Sequence, residues 1–316
     1  MPTFDGVLEA RDRIAPYGVT DTPLYRWPGL ERLLGTEVWV KHENHQPIAA
    51  FKVRGGVNLV SQLSEEERTA GVITASTGNH GQSIAFAARL FGVTARICIP
   101  EGANPVKVQS MQDLGAELIV HGRDFDDARE HCAALADKHG YRYIHSANEP
   151  LLIEGVGTYS LEILEAEPDI DVIFVPIGGG SGACGACIAG KAKNPSLQVI
   201  GVQAAAAPAA FKSWKQRGLV EDEMKTAAEG LATRTAFELT QRIMWEQLDD
   251  FLLVSEDDLR AAVRDMLVTT RNLVELSGAA ALAGAKQIKD RLAGKKVALI
   301  ASGANISLDQ LHSILS

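Results

Sequence analysis

The sequence predicts an α/β fold of open parallel sheets with helices on both faces, and two observations carry that prediction. Short apolar, β-branched runs alternate with longer segments of helical period, the pattern of strand–helix–strand units whose strands are buried on both sides. Three of these runs end in turns of small residues that lead into a helix, the place where open parallel sheets hold their ligands. With 316 residues, 46% of them hydrophobic, the chain has enough apolar material for two domains or one large one.

The strand-like runs are, in order, EVWVKHE, GVITAST, ARICIP, AELIVHG, YRYIHSA, DVIFVPIGGG, LQVIGVQA and KVALIASGAN. After STGNHGQS, the residues Ile84, Ala87, Ala88 and Phe91 recur at i, i+3, i+4 and i+7, and Gly92 stands where that helix should end. Ser255 and Asp258 have the spacing of a capping box, from which Leu259, Val263 and Met266 continue as an apolar stripe. The last strand is followed by NISLDQLHSILS, one amphipathic helix, and no regulatory domain is expected there. No repeat and no low-complexity linker divides the chain, so a second domain must be interleaved with the first.

A formal net charge of -9 and a pI near 5.4, with no cluster of Lys and Arg, argue against a nucleic-acid partner. The N-terminal MPTFDGVLEARDRI has no apolar signal core, and no apolar run reaches membrane-spanning length. Cys98, Cys132, Cys184 and Cys187 are too sparse for a disulfide scaffold, and together these features lead us to expect a cytoplasmic protein. Cys184 and Cys187 form a C-x-x-C, but no second ligand pair accompanies it. It reads as a small-residue helix packed tightly after a glycine turn.

Chemistry enters with PIAAFKVRGGVNLV, residues 47–60, where one lysine, Lys52, sits in a run that otherwise reads as core. An ammonium taken out of water is costly unless it is paired or loses its proton. Lys52 therefore either snorkels outward or has its pKa depressed for chemistry.

The three turns supply anion sites and a hydroxyl. Thr74–Gly81 aims backbone N–H groups and a helix start at whatever lies above its strand, and suits a carboxylate or a phosphate; a plain tight turn with Asn79 in the left-handed conformation explains it equally well. Pro176–Gly182 carries three consecutive glycines, which clear away side chains so that successive N–H groups can close on a phosphate. It matches neither G-x-G-x-x-G nor a Walker loop, so a small monophosphate fits better than a nucleotide. Ala301–Asn305 places the Ser302 hydroxyl at the sheet's mouth, where on its own it would read as a helix cap. A phosphate cradle, a carboxylate cradle, a hydroxyl and a desolvated lysine together match one cofactor, pyridoxal 5'-phosphate.

From TPLYRWPGLERLLGTEVWVKHENHQ to ASGANIS the chain resembles the tryptophan-synthase-β family, the fold type II pyridoxal-phosphate enzymes, and within it the threonine/serine dehydratase and serine racemase branch. The resemblance implies two interleaved, open, twisted parallel-sheet domains with the cofactor in the cleft between them. Residues 1–60 and 149–316 would form a large cofactor-binding domain, and residues 61–148 a small domain for the substrate carboxylate. Lys52, preceded by Phe51, would be the Schiff-base lysine and then the base. Asn79 would hold the ring hydroxyl, and the segment Ser76, Thr77, Gly78, Asn79 and His80 the substrate carboxylate, with the His80 ring more a packed group than a catalytic one. Gly178, Gly179, Gly180, Ser181 and Gly182 would hold the phosphate, Ser181 standing where many relatives have a fourth glycine. Ser302 would face the pyridine nitrogen. Ala304 replaces the customary second glycine of that turn.

The resemblance also implies a homodimer acting on a small amino acid, with β-elimination of water from an L-threonine or L-serine type substrate to a 2-oxo acid and ammonia. Thr77 replaces the serine that delivers the second proton in racemising relatives, which counts against, without excluding, a serine racemase. Ala205 and Phe211 occupy the positions of the family's metal-binding carboxylates, so no metal is expected. A 3-hydroxyaspartate dehydratase would need an additional cation, for which Arg129 is the candidate, although a solvated helix face explains that arginine as well. The non-enzyme alternative is a nucleotide-binding sensor, which would have no use for Lys52.

Overall fold

Ten strands form, nearly all from the apolar runs: β1 (Leu24–Arg26), β2 (Glu37–Lys41), β3 (Val72–Ala75), β4 (Ala95–Ile99), β5 (Glu117–Val120), β6 (Arg142–Tyr143), β7 (Val172–Pro176), β8 (Gln198–Ala204), β9 (Asp250–Val254) and β10 (Lys296–Ile300). They belong to a computed structural model that describes residues 1–316. The larger sheet has the order β1-β2-β10-β7-β8-β9 and the smaller β5-β4-β3-β6, so the small sheet is inserted in the chain between β2 and β7. Every neighbouring pair is parallel except β1 and β2, which pair antiparallel with Leu24 opposite Lys41.

The large sheet is buried on both faces, as continuous apolar strands require. Along β7, Val172 and Phe174 enter one core cluster and Ile173 and Val175 the other. β10 divides the same way, Val297 and Leu299 against Ala298 and Ile300. The expected helix after β3 runs Asn79–Phe91 and ends at Gly92 in the left-handed conformation. Ser255 and Asp258 close a reciprocal capping box, and the C-terminal helix Leu308–Leu315 has its own at Ser307 and Gln310.

Two strands were not expected. β1 is three residues long and mostly exposed, so it has almost no apolar signature. β9 is squeezed between the helix Glu238–Gln247 and the Ser255 cap, with only Leu248 and Asp249 separating it from the helix before.

Three helices position the site and touch through backbone. A Cβ on Gly55, in the helix Lys52–Val60, would lie 2.7 Å from the Leu152 carbonyl of the helix Pro150–Ala166, and one on Gly155 would lie 2.7 Å from the Arg54 carbonyl. A Cβ on Gly185, in the helix Ser181–Lys193, would meet Gly157 N at 2.7 Å. Cys184 and Cys187 lie fully buried in that last helix as free thiols, and Cys184 Sγ donates to the Thr240 carbonyl at 3.3 Å.

The apolar frame of Lys52 holds a second charge, which corrects the expectation of a single one. Arg54 is completely buried and grips Glu43 with two bonds of 2.8 Å, from Nε and from Nη2. Its Nη2 also donates to Glu162 Oε2 at 2.9 Å, and Lys41 pairs with the same carboxylate. Burial alone would lower the Arg54 pKa, but Glu43 and Glu162 outweigh it and raise the pKa. Burial would raise that of Glu162, yet Arg54 and Lys41 bring it down to about 2. The charges balance, so the start of the Lys52 helix is tied to the residues after β2 and to the helix Pro150–Ala166.

Candidate active site

The turns after β3, β7 and β10 and the start of the Lys52 helix open on one cleft of about 920 Å³. Phe51, Lys52, Ser76, Thr77, Gly78, Asn79, His80, Gly178, Gly179, Gly180, Ser181, Gly182 and Ser302 all line it, so the structure brings together the residues expected at the cofactor and at the substrate carboxylate. Lys52 Nζ donates to Ser181 Oγ at 2.8 Å and to the Ser146 carbonyl at 3.4 Å, and no carboxylate is within reach. Burial without a counter-charge lowers its pKa to about 8. Phe51 packs edge-on to Tyr159 at 6.2 Å between ring centres, and its N–H donates to the Ser302 carbonyl at 3.1 Å, joining the lysine's segment to the turn after β10.

The glycine loop leaves backbone as its surface. Side chains are excluded by close neighbours, a Cβ at Gly178 colliding with the Gly230 carbonyl and one at Gly179 lying 3.1 Å from Ala147 Cβ. Gly180 takes φ +92° to turn the chain into the helix Ser181–Lys193, whose first-turn N–H groups have no intrahelical partner. The Ser181 hydroxyl, expected at a phosphate, is here the partner of Lys52.

In the turn after β3, Ser76 Oγ accepts from Gly78 N at 3.0 Å and Gly81 N at 2.8 Å, so its oxygen serves the turn itself. Asn79 is the first residue of its helix and is not left-handed. Thr74 Oγ1 donates its one proton to the Ile144 carbonyl at 2.7 Å, so it must accept from His80 Nε2, 2.9 Å away. His80 is therefore the Nε2–H tautomer, and its buried Nδ1 has no partner.

Burial, assisted by Lys52 and His145, lowers the His80 pKa to about 3. His145 and His42, also depressed chiefly by burial, come down to about 4. In the unfolded chain each would titrate near pH ~6.5. Below that pH the unfolded state binds protons that the folded state refuses, so these groups subtract stability as pH falls from about 6.5 toward 4. A falling thermal midpoint across that window is the expected result, and a flat profile would contradict the burial of these rings.

Among the polar residues that sequence reasoning did not assign to the site, Lys107, Ser146, Glu229 and Glu275 line the cleft and Asn305 stands beside it against Asn79. Lys107 Nζ stands 2.7 Å from Glu229 Oε2 and 3.2 Å from Glu275 Oε2, and its side chain crosses Gly78, where a Cβ would lie 2.7 Å from Lys107 Cδ. Burial alone would lower the Lys107 pKa, but Glu275 and Glu229 raise it. Asn79 Nδ2 donates to Glu275 Oε1 at 2.6 Å, and Asn305 Nδ2 to Asn79 Oδ1 at 2.8 Å. Glu275 had one signal, a lone acid before the alanine-rich run LSGAAALAGA. Arg129 lies outside the cleft lining and pairs with Asp126 at 3.2 Å. Phe211 packs against Phe251, and no group of three His, Cys, Asp or Glu side chains stands close enough to hold a metal ion.

A cofactor with an aldehyde, a phosphate and a hydroxylated ring fits these groups. Lys52 presents an amine that no carboxylate holds, the glycine loop a cradle of backbone, Asn79 an amide and Ser302 a hydroxyl at the cleft wall.

A family model described as pyridoxal-phosphate dependent enzyme matches residues 15–303. An L-threonine ammonia-lyase of Thermotoga maritima is 36% identical over 318 residues, covering 100% of this chain and 79% of the relative. An L-threo-3-hydroxyaspartate ammonia-lyase of Saccharomyces cerevisiae is 36% identical over 317 residues, 100% of this chain and 97% of the relative. Among solved structures, a maize serine racemase superposes with a TM-score of 0.93 at 30% identity, covering 99% of this chain and 97% of that one. The amine without a counter-ion, the side-chain-free loop and the match along nearly the whole chain lead to one conclusion: the chain belongs to the fold type II pyridoxal-phosphate-dependent enzymes.

Proposed function

We propose that the chain removes water from L-threonine and L-serine, giving a 2-oxo acid and ammonia. The observation that carries this is the set of charges in the cleft. Lys52 is a cation without a carboxylate partner, Lys107 is paired with both carboxylates of the lining, and after β10 stands the neutral hydroxyl of Ser302. Bound here, pyridoxal phosphate supplies an electron sink that acidifies the substrate Cα and lets a β-hydroxyl leave.

The protein's own groups do the rest. Lys52, with its pKa lowered to about 8, would hold the cofactor through its amine and serve as the base for the substrate Cα proton, with Ser181 holding its Nζ. The helix starts at Asn79 and Ser181 offer N–H groups to the substrate carboxylate and to the phosphate. Ser302, unlike a carboxylate, would not hold a proton on the cofactor's ring nitrogen, which would favour loss of a β-group over transamination. The division of labour is residues 61–148 for the substrate carboxylate and residues 1–60 and 149–316 for the cofactor.

A panel of L-threonine, L-serine, D-serine and 3-hydroxyaspartate, scored for oxo-acid formation and for D-serine produced from L-serine, tests the proposal. Turnover of the first two is expected. 3-Hydroxyaspartate should react at least about tenfold less efficiently, because a second carboxylate finds no unpaired cation besides Lys52. Oxo acid from 3-hydroxyaspartate alone would overturn it.

Chelators should leave the rate unchanged, since Ala205 and Phe211 offer no hard-cation ligand. Loss of activity in chelator, restored by magnesium or calcium, would contradict this. The buried, unpaired cysteines support a reducing cytoplasm, and no helix is long and apolar enough to cross a membrane. We also propose a homodimer, which sizing chromatography at twice the chain mass would reveal.

A further inference from the structure

We propose that Glu275 is a positioning residue for Asn79, fixing its side-chain amide so that one N–H remains for the cleft. This rests on the assignment of Asn79 to the cofactor's ring hydroxyl. An asparagine amide has two N–H donors on one side and an acceptor oxygen on the other, and its two orientations differ little in shape. Which way it faces is decided by its partners.

Here both ends of a short chain of amides are fixed by groups that only accept. The Ile48 carbonyl accepts from Asn305 Nδ2 at 2.9 Å, which sets the Asn305 orientation. The same Nδ2 donates to Asn79 Oδ1 at 2.8 Å, and Asn79 Nδ2 donates to Glu275 Oε1 at 2.6 Å. A flipped Asn79 would set donor against donor at Asn305 and acceptor against carboxylate at Glu275. Its oxygen and one N–H are thus in use, and the second N–H is left at a residue that lines the cleft.

Glu275 cannot easily swing away. It is almost fully buried, its backbone N–H donates to the Gly303 carbonyl at 3.0 Å, and a Cβ at Gly303 would stand 2.5 Å from Glu275 Oε1. Its other oxygen carries the Lys107 ammonium, which offsets the cost of burying the carboxylate. Asn79 and Lys107 precede β7 while Glu275 and Asn305 follow it, so these contacts also join the turn after β3 to the turn after β10.

Glutamine at 275 keeps the shape but can donate or accept, so it removes the orientation without emptying the space. The test measures affinity of the cofactor-free protein for pyridoxal phosphate and for its 3-deoxy analogue, which lacks the ring hydroxyl, in the parent, Glu275→Gln and Asn79→Ala. The parent should prefer pyridoxal phosphate by about tenfold or more, and both variants should lose most of that preference. They should bind the analogue as the parent does. If Asn79→Ala loses the preference and Glu275→Gln keeps it, Glu275 does not position the amide and the proposal is overturned. If Asn79→Ala also keeps it, the ring-hydroxyl assignment fails first and the proposal falls with it. Should Glu275→Gln fail to fold, Glu275→Ala, which removes the accepting carboxylate while leaving Lys107 its bond to Glu229, carries the same expectation and the same overturning result.

Discussion

Alanine in place of Lys52 is expected to abolish oxo-acid formation while leaving the fold intact. The amine makes two hydrogen bonds, to Ser181 and to the Ser146 carbonyl, and no ion pair, so its removal strands no opposite charge. Desolvation already disfavours its charged form, which means the native protein bears a cost there that alanine removes. Catalysis has no substitute, because the other lysine in the cleft is held by two carboxylates. Steady-state assay, with circular dichroism as the control for folding, decides it. Borohydride should fix the cofactor to the parent and fail to fix it to the variant. Near-normal turnover by Lys52→Ala would move the covalent role elsewhere.

Arg54→Ala should do the opposite, costing stability before chemistry. It leaves Glu43 and Glu162 buried, with Lys41 alone to offset them, and removing one partner of a buried ion network typically costs about 3–5 kcal/mol. Arg54→Lys should recover only part of this, since an ammonium cannot make the paired bonds to Glu43 and Glu162 that the guanidinium fork makes. Denaturant midpoints of the two variants against the parent provide the measurement. A loss under about 1 kcal/mol for the alanine variant would mean that water or a local shift compensates the two carboxylates.

The parts of the site legible in the sequence are those whose chemistry is local. A lysine in an apolar frame, three glycines after a strand and small-residue turns before helices each announce themselves within a few residues, and the structure gathers Lys52, the glycine loop, the Asn79 turn and Ser302 around one cleft. What stayed hidden depends on partners far along the chain. Asn79 and Glu275 are 196 residues apart and Lys107 and Glu275 168, and on its own each reads as an ordinary polar residue. Arg54 lay in plain view in KVRGG, but arginine is so often a surface residue that only its ties to Glu43 and Glu162 show it to be interior. Ser181 illustrates a third case: the glycine-rich turn puts it in the cleft lining, while its bond to Lys52 depends on the direction of a side chain, which no pattern records.

At Gly55, Gly155, Gly157 and Gly185 the space for even a methyl group is taken or tightly bounded by the chain of a neighbouring helix or, at Gly157, also by Val7. The separation between the helix that starts at Lys52 and the helix that starts at the glycine loop is thus not cushioned by side chains that could change rotamer and absorb an error. In a library of random variants Gly55, Gly155 and Gly185 should behave as a single invariant block, purged of substitutions as mild as alanine, with Gly157 tolerating at most the smallest. Exposed positions a few residues away on the same helices, such as Lys193 and Glu165, would drift freely. The precision of the chemistry is in this sense written as forbidden letters in the sequence, at places that never touch a substrate.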